Sequence, residues 1–236
     1  MGLRGQLGHN PAVACVNTTT YQRTKGLDMT SISHLVLGTT SPSAAESFYS
    51  TAFGANAPIR AESSVDESTG FRGFTLGVDV SGAASVDKLF SQALGLGATE
   101  VKPPRKQLWG GYSGVLRTPD GTILKIATTA KKDDAPLDLN PERVVLLLGV
   151  SDVKVSKQLY AARGLAVAKS YGSKYVEFEQ QGGAVTLGLY KRAGLAKEFG
   201  VPPEGSGSHW LTIAWSGESF TDPDGFVWVS VDAGHA

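Results

Sequence analysis

Cysteine is almost absent: Cys15 is the one thiol in 236 residues, which excludes an internal disulfide and a cluster of thiolate metal ligands. An excess of charge is also lacking, because 22 Lys and Arg balance 22 Asp and Glu. A nucleic-acid partner therefore has no electrostatic basis in the chain as a whole. No apolar run approaches the roughly 18–20 residues that cross a bilayer, so no membrane partner is expected. No Gly-x-Ser-x-Gly elbow is present and no cysteine lies in the patterned region, which removes the usual nucleophiles. Gly110-Gly111 and Gly205-Ser206-Gly207 are not followed by Lys-Ser/Thr on a helix, so they read as turns and not as phosphate loops. The expectation is a soluble cytoplasmic protein, a monomer or homodimer.

Hydrophobic residues make up 41% of the chain, enough to bury a real core. They are not evenly spread. Residues 1–28 carry Gly, Asn, Thr and Gln without apolar periodicity, and the expectation is a disordered N-terminal extension. Met29 stands just before the first strand pattern as a candidate start.

From Ile32 the pattern is strong. Ile32–Gly38 is short, apolar and ended by a turn signal, as a strand is. Ser43 and Glu46 have capping-box spacing after Pro42. Ala45, Phe48, Tyr49, Ala52 and Phe53 then fall on one helical face. Strands follow near Ala57–Ala61 and Phe71–Val80. A second helix spans Ser85–Leu94, with Val86, Leu89, Phe90 and Ala93 inward, and strands near Ala98–Lys102, Gly111–Arg117 and Ile123–Thr128 complete the unit. A linker over 131–141 opens with Lys131-Lys132-Asp133-Asp134, and the order restarts. Arg143–Val150 is a strand, Asp152–Arg163 a helix, and three strands lead to a short helix at Ala193–Phe199. His209–Trp215 closes the series as a strand. Glu177 and Glu179 alternate with Phe178, which places them on one strand face and not as a catalytic pair. The units 29–130 and 142–236 share two markers. Tyr49 matches Tyr160, and Thr118-Pro119-Asp120-Gly121 matches Asp222-Pro223-Asp224-Gly225. Each Pro-Asp-Gly suits a tight turn between β-like runs.

The strand bearing His34, the helix ending Phe48-Tyr49-Ser50-Thr51-Ala52-Phe53-Gly54, and Trp109-Gly110-Gly111-Tyr112 before Pro119-Asp120-Gly121 resemble the vicinal oxygen chelate superfamily. That superfamily includes glyoxalases, bleomycin-resistance proteins and extradiol dioxygenases. The closing Phe220-Thr221-Asp222-Pro223-Asp224-Gly225-Phe226-Val227-Trp228 extends the resemblance, which runs from about Ile32 to Val231. It implies an α+β fold: tandem βαβββ modules that form half-open curled mixed sheets, with helices packed outside and a site inside the curl. Its members commonly hold a divalent ion with His and carboxylate on opening strands and on the strand after the Pro-Asp-Gly turn. Carried over, those positions fall on His34 and Lys125 in the first unit. In the second they fall on Val145, His209 and Val229. Neither unit keeps more than one donor, and an ammonium at Lys125 repels a cation. No metal ligand set and no cofactor are therefore expected.

Two functions compete. One is a metal-independent binder of a small aromatic or apolar molecule, with Trp109, Tyr112, Lys125 and Trp228 as ligand-contacting residues. The other is a glyoxalase-like lyase or isomerase using His34, His209 or both. If the opening strand pairs with the closing one, those two histidines would face a single cavity. A dimerising scaffold is the third reading.

Overall fold

The computed structural model describes residues 30–108, 110–130 and 136–231. The expected extension 1–28, the candidate start Met29, the ligand-contacting candidate Trp109 and linker residues 131–135 lie outside the described residues. The architecture is α+β, with fifteen strands and four helices among the described residues.

Two complete βαβββ units occupy the middle of the chain. The first is β4 (Phe74–Asp79), α2 (Ala83–Gly95), β5 (Thr99–Lys106), β6 (Tyr112–Arg117) and β7 (Ile123–Thr128). The second is β8 (Arg143–Val150), α3 (Val153–Ala162), β9 (Val167–Ser170), β10 (Tyr175–Phe178) and β11 (Val185–Lys191). In each unit the opening strand lies parallel to the closing one, β4 beside β7 and β8 beside β11. The units join edge to edge through antiparallel β4 and β8, with Leu76 opposite Leu146. The result is one curled sheet in the order β5-β6-β7-β4-β8-β11, extended by β10 and β9.

The ends of the chain supply abbreviated versions of the same unit. β1 (Ile32–Thr39), α1 (Pro42–Phe53) and β2 (Ile59–Ser63) form a parallel β-α-β crossover. β13 (Leu211–Trp215), β14 (Phe220–Thr221) and β15 (Val227–Ser230) close the chain with no helix between them. β1 pairs antiparallel with β13, setting His34 opposite Ala214 and Val36 opposite Thr212. The opening and closing strands thus meet across the whole length of the chain. Each side of the 131–141 segment holds one complete unit and one abbreviated one.

Alternation sets the two faces of every strand. Leu35 and Leu37 of β1, Leu76 and Val78 of β4, and Leu146 and Leu148 of β8 bury against the helices. The inward helical residues are those expected, including Ala45, Phe48, Tyr49, Ala52 and Phe53 on α1. The capping box is not formed. Pro42 takes the first helical position behind Ser41, which makes no side-chain cap, and Glu46 Oε1 instead accepts from Ala61 N at 3.4 Å. α3 is capped, because Asp152 accepts from Lys154 N at 2.8 Å and Val155 N at 3.2 Å.

The two Pro-Asp-Gly segments are tight turns. Gly121 N donates to Thr118 O at 2.8 Å and Gly225 N to Asp222 O at 3.0 Å. Gly121 and Gly225 have φ of 88° and 90°, a left-handed conformation that favours glycine. The matched tyrosines explain why these turns recur. Tyr49 donates to Asp120 Oδ1 at 3.0 Å, and Tyr160 donates to Asp222 Oδ2. Each tyrosine ties a helix to a turn far away in sequence. Burial and then the Asp222 carboxylate push the Tyr160 phenol well up, so it stays a donor.

Candidate functional site

Curling gives each pair of units a concave face, and the two faces differ. On the complete pair the concave side of β4, β7, β8 and β11 carries Gly77, Lys125, Val145 and Tyr190. Directly after β11 the chain turns into α4 (Arg192–Phe199) and lays it into this hollow. Leu195, Ala196 and Phe199, each no more than 1% exposed, form a separate core with Phe71, Val115 and Ile123. Gly149 allows the close approach, since a Cβ there would lie 3.1 Å from Arg192 Cα and 3.3 Å from Leu195 Cδ2. Among the described residues, the voids beside α4 include ones of about 190 Å³ and 300 Å³.

The smaller void is walled by a satisfied ionic network. Arg143 pairs with Asp79 at 2.7 Å and with Glu177 at 3.4 Å. Glu177 also accepts from Tyr175 Oη at 2.6 Å and pairs with Lys169 at 3.2 Å. Burial raises the Glu177 carboxyl, but Tyr175, Lys169 and Arg143 together outweigh it and hold it below the ordinary value.

On the abbreviated pair nothing among the described residues fills the curl. A cavity of about 770 Å³ is lined by His34 and Val36 of β1, Arg60 and Glu62 of β2, Thr212 and Ala214 of β13, and Val229. A second hollow of about 810 Å³ adjoins it, sharing Ser33, His34 and Arg60 and continuing past Glu46, Ser47 and Ser50 of α1. His34 stands at the junction. Ser33 Oγ and His34 Nδ1 lie 3.2 Å apart. Burial first, and then the Arg60 guanidinium, hold the imidazole below its ordinary pKa. A neutral ring able to give or take a proton at the mouth of an apolar cavity is therefore favoured near neutral pH.

The other expected site residues are placed elsewhere. Trp228 is 1% exposed and faces α3, where it packs against Tyr160, Trp215 and Phe220. It is a core residue, because its neighbour Val229 takes the concave side and adjacent strand residues point oppositely. Tyr112 also lies on the helix side, donating to Asp87 Oδ1 of α2 at 2.8 Å. Lys125 is on a concave face, 3.4 Å from Glu198 Oε1 and over the Phe199 ring at 5.7 Å.

His209 does not meet His34. It precedes β13 at the end where Leu211 pairs with Leu37, whereas His34 pairs with Ala214 at the other end. Leu211 to Ala214 alone spans roughly 10 Å of strand. Both ring nitrogens of His209 are engaged: Nδ1 is 2.5 Å from Arg72 O and Nε2 is 2.9 Å from Asp224 O. The ring stacks on Phe226 with centroids 4.0 Å apart. This histidine ties the start of the complete unit to the last turn.

No family model matches the sequence and no curated protein matches it. Solved structures do. Glyoxalase I from Zea mays aligns with a TM-score of 0.58 at 16% identity, over 85% of this chain and 92% of that one. A putative dioxygenase from Bacillus subtilis subsp. subtilis str. 168 aligns with a TM-score of 0.51 at 13% identity, over 78% of this chain and 69% of that one. The chain has the vicinal oxygen chelate fold. At these identities the likeness is one of fold.

The resemblance implies metal donors at concave strand positions, and the residues that fall at those positions here do not match that donor set. The complete pair offers Lys125 and Val145 among its concave residues, with α4 in the space between. The open cavity offers one imidazole, His34, and one carboxylate, Glu62, with Val229 where a second carboxylate is wanted. Among the described residues no group of three His, Cys, Asp or Glu comes together to hold an ion. A divalent ion held against water needs more donors than these. Glu62 and Arg60 escape sequence reasoning because β2 is short and half exposed. Only its pairing with β1 turns both side chains toward the cavity.

Proposed function

We propose that the protein binds a small molecule without a divalent metal, in the open cavity between β1, β2, β13 and β15. The supporting observation is the contrast in filling. One curl is occupied by the chain's own helix, while the other keeps about 770 Å³. Such a volume lies within the range of ligand pockets. Val36, Ala214 and Val229 supply an apolar bed for an aromatic or aliphatic body, and His34, Arg60 and Glu62 mark its polar rim. A composite lyase or isomerase site would need His34 and His209 together. His209 instead spends both nitrogens on backbone carbonyls.

The test is a fragment screen by thermal shift on the full chain, repeated on Val229→Trp. That substitution puts an indole into the cavity from a half-buried strand position. The expected result is a set of aromatic fragments that raise the melting temperature of the wild type and fail on a folded Val229→Trp variant. Fragments that stabilise both proteins equally would move the site elsewhere.

A further inference from the structure

Basic side chains gather where α4 meets the rim of the complete pair. A void of about 300 Å³ there is lined by Lys102, Arg105, Lys125 and Lys197, with Glu198 as the single carboxylate. Four cations against one acid is a strong local imbalance in a chain whose Lys and Arg balance its Asp and Glu at 22 each. Two of the four are fixed. Lys102 Nζ donates to Glu198 O at 2.5 Å, at the carbonyl end of α4. Its stem crosses Gly200, where an added Cβ would lie 2.5 Å from Lys102 Cε. Lys125 is held by the Glu198 carboxylate at 3.4 Å and by the face of Phe199. Arg105 and Lys197 stand exposed on opposite walls, one on β5 and one on α4. Among the described residues neither makes an ion pair. Gln107 braces the floor, donating from Nε2 to Arg105 O at 3.2 Å and to Ser113 O at 3.3 Å.

We propose that this basic cup binds a small polyanion, either phosphate-bearing or polycarboxylate, at a site separate from the His34 cavity. A concave surface lined by one sign of charge concentrates counter-ions. Two ammonium groups held in place by the fold lose little freedom on binding. The void is too small and too polar for an extended apolar body. It suits a compact anion that can reach Arg105 and Lys197 from between them.

The test is calorimetric titration of the full chain at low ionic strength, with inorganic pyrophosphate and with citrate as probes. Saturable binding of either is expected, weakening as salt is added. Tighter pyrophosphate assigns a phosphate-bearing ligand, and tighter citrate assigns a polycarboxylate. The double variant R105Q/K197Q should bind about tenfold more weakly, as loss of charge-assisted hydrogen bonds implies. The single variants should fall between. The control K88Q/K154Q removes the same charge from exposed positions on α2 and α3 and should bind as the wild type does. The proposal is overturned if neither probe binds at about 10 mM, where even a millimolar site is filled. It is equally overturned if the control loses as much affinity as R105Q/K197Q. Binding in the His34 cavity is read separately through Val229→Trp, so either site can fail alone.

Discussion

The concave face of β4, β7, β8 and β11 is filled, and that of β1, β2, β13 and β15 is open, although both arise from the same antiparallel joining of two units, β4 to β8 and β1 to β13. The difference lies in eight residues, Arg192–Phe199. After the last strand of the second complete unit the chain forms α4 and buries Leu195, Ala196 and Phe199 in the hollow. The abbreviated pair receives no such segment among the described residues and keeps an apolar bed with polar groups at its rim. One curl is thereby a second core, and the other is the open space in which a ligand is proposed to bind. A shared fold fixes where a hollow will be; what enters the hollow decides its use.

The largest effect should come from removing the plug. Phe199→Ala deletes a ring that is 1% exposed and should cost about 3–5 kcal/mol, measured by urea unfolding. A cost near zero would show that α4 merely rests on the sheet. Next is the tie between α3 and the last turn. Tyr160→Phe leaves the buried Asp222 carboxylate without its phenol donor, at an expected cost of about 1–3 kcal/mol. Equal stability in the same assay would remove the tyrosine–turn link as the reason the two markers recur.

Those markers show how far local chemistry is legible. Tyr49, Tyr160 and the two Pro-Asp-Gly turns stand out because each belongs to a short motif whose backbone demands are written in its own residues. Helical faces are legible for the same reason, and α1 and α2 bury the residues their spacing assigns. Which face of a strand meets which neighbour is less visible. Trp228 and Val229 both suggest cavity positions, yet adjacent strand residues cannot share a face, and the aromatic cluster around Tyr160 claims Trp228. Likewise nothing local to Leu195 and Phe199 shows that a short helix will fill the curl. That depends on Gly149, some fifty residues earlier, leaving room for its backbone. His209 looks like a ligand by type, but its partners are the carbonyls of Arg72 and Asp224, which only the folded chain brings near.

Two smaller effects separate the faces by pH. Glu177 sits below its ordinary pKa in the fold, so its contribution is present above the unfolded value of about 4.3 and is lost as pH falls through the folded one. Wild type should therefore lose stability faster than Glu177→Gln in acid unfolding below that pH, and parallel curves would remove the network's role. His34 is the reverse case. Its folded pKa lies below the ordinary 6.5, so the unfolded chain takes up the proton first and stability declines slightly as pH drops through that region. An NMR titration of the His34 ring should give a midpoint below 6.5, and Arg60→Gln should move it upward. An unchanged midpoint in Arg60→Gln would mean that the guanidinium does not face the ring.

The most direct measurement is a methyl-resolved NMR titration with a fragment that binds the wild type. Ala214 and Val229 report on the open face, Val145 and Leu147 on the filled one. Ala214 and Val229 methyls should shift along saturating curves while those of Val145 and Leu147 stay fixed. Saturating shifts confined to Val145 and Leu147 would contradict the open-face site, because they would place the ligand in the hollow that α4 occupies.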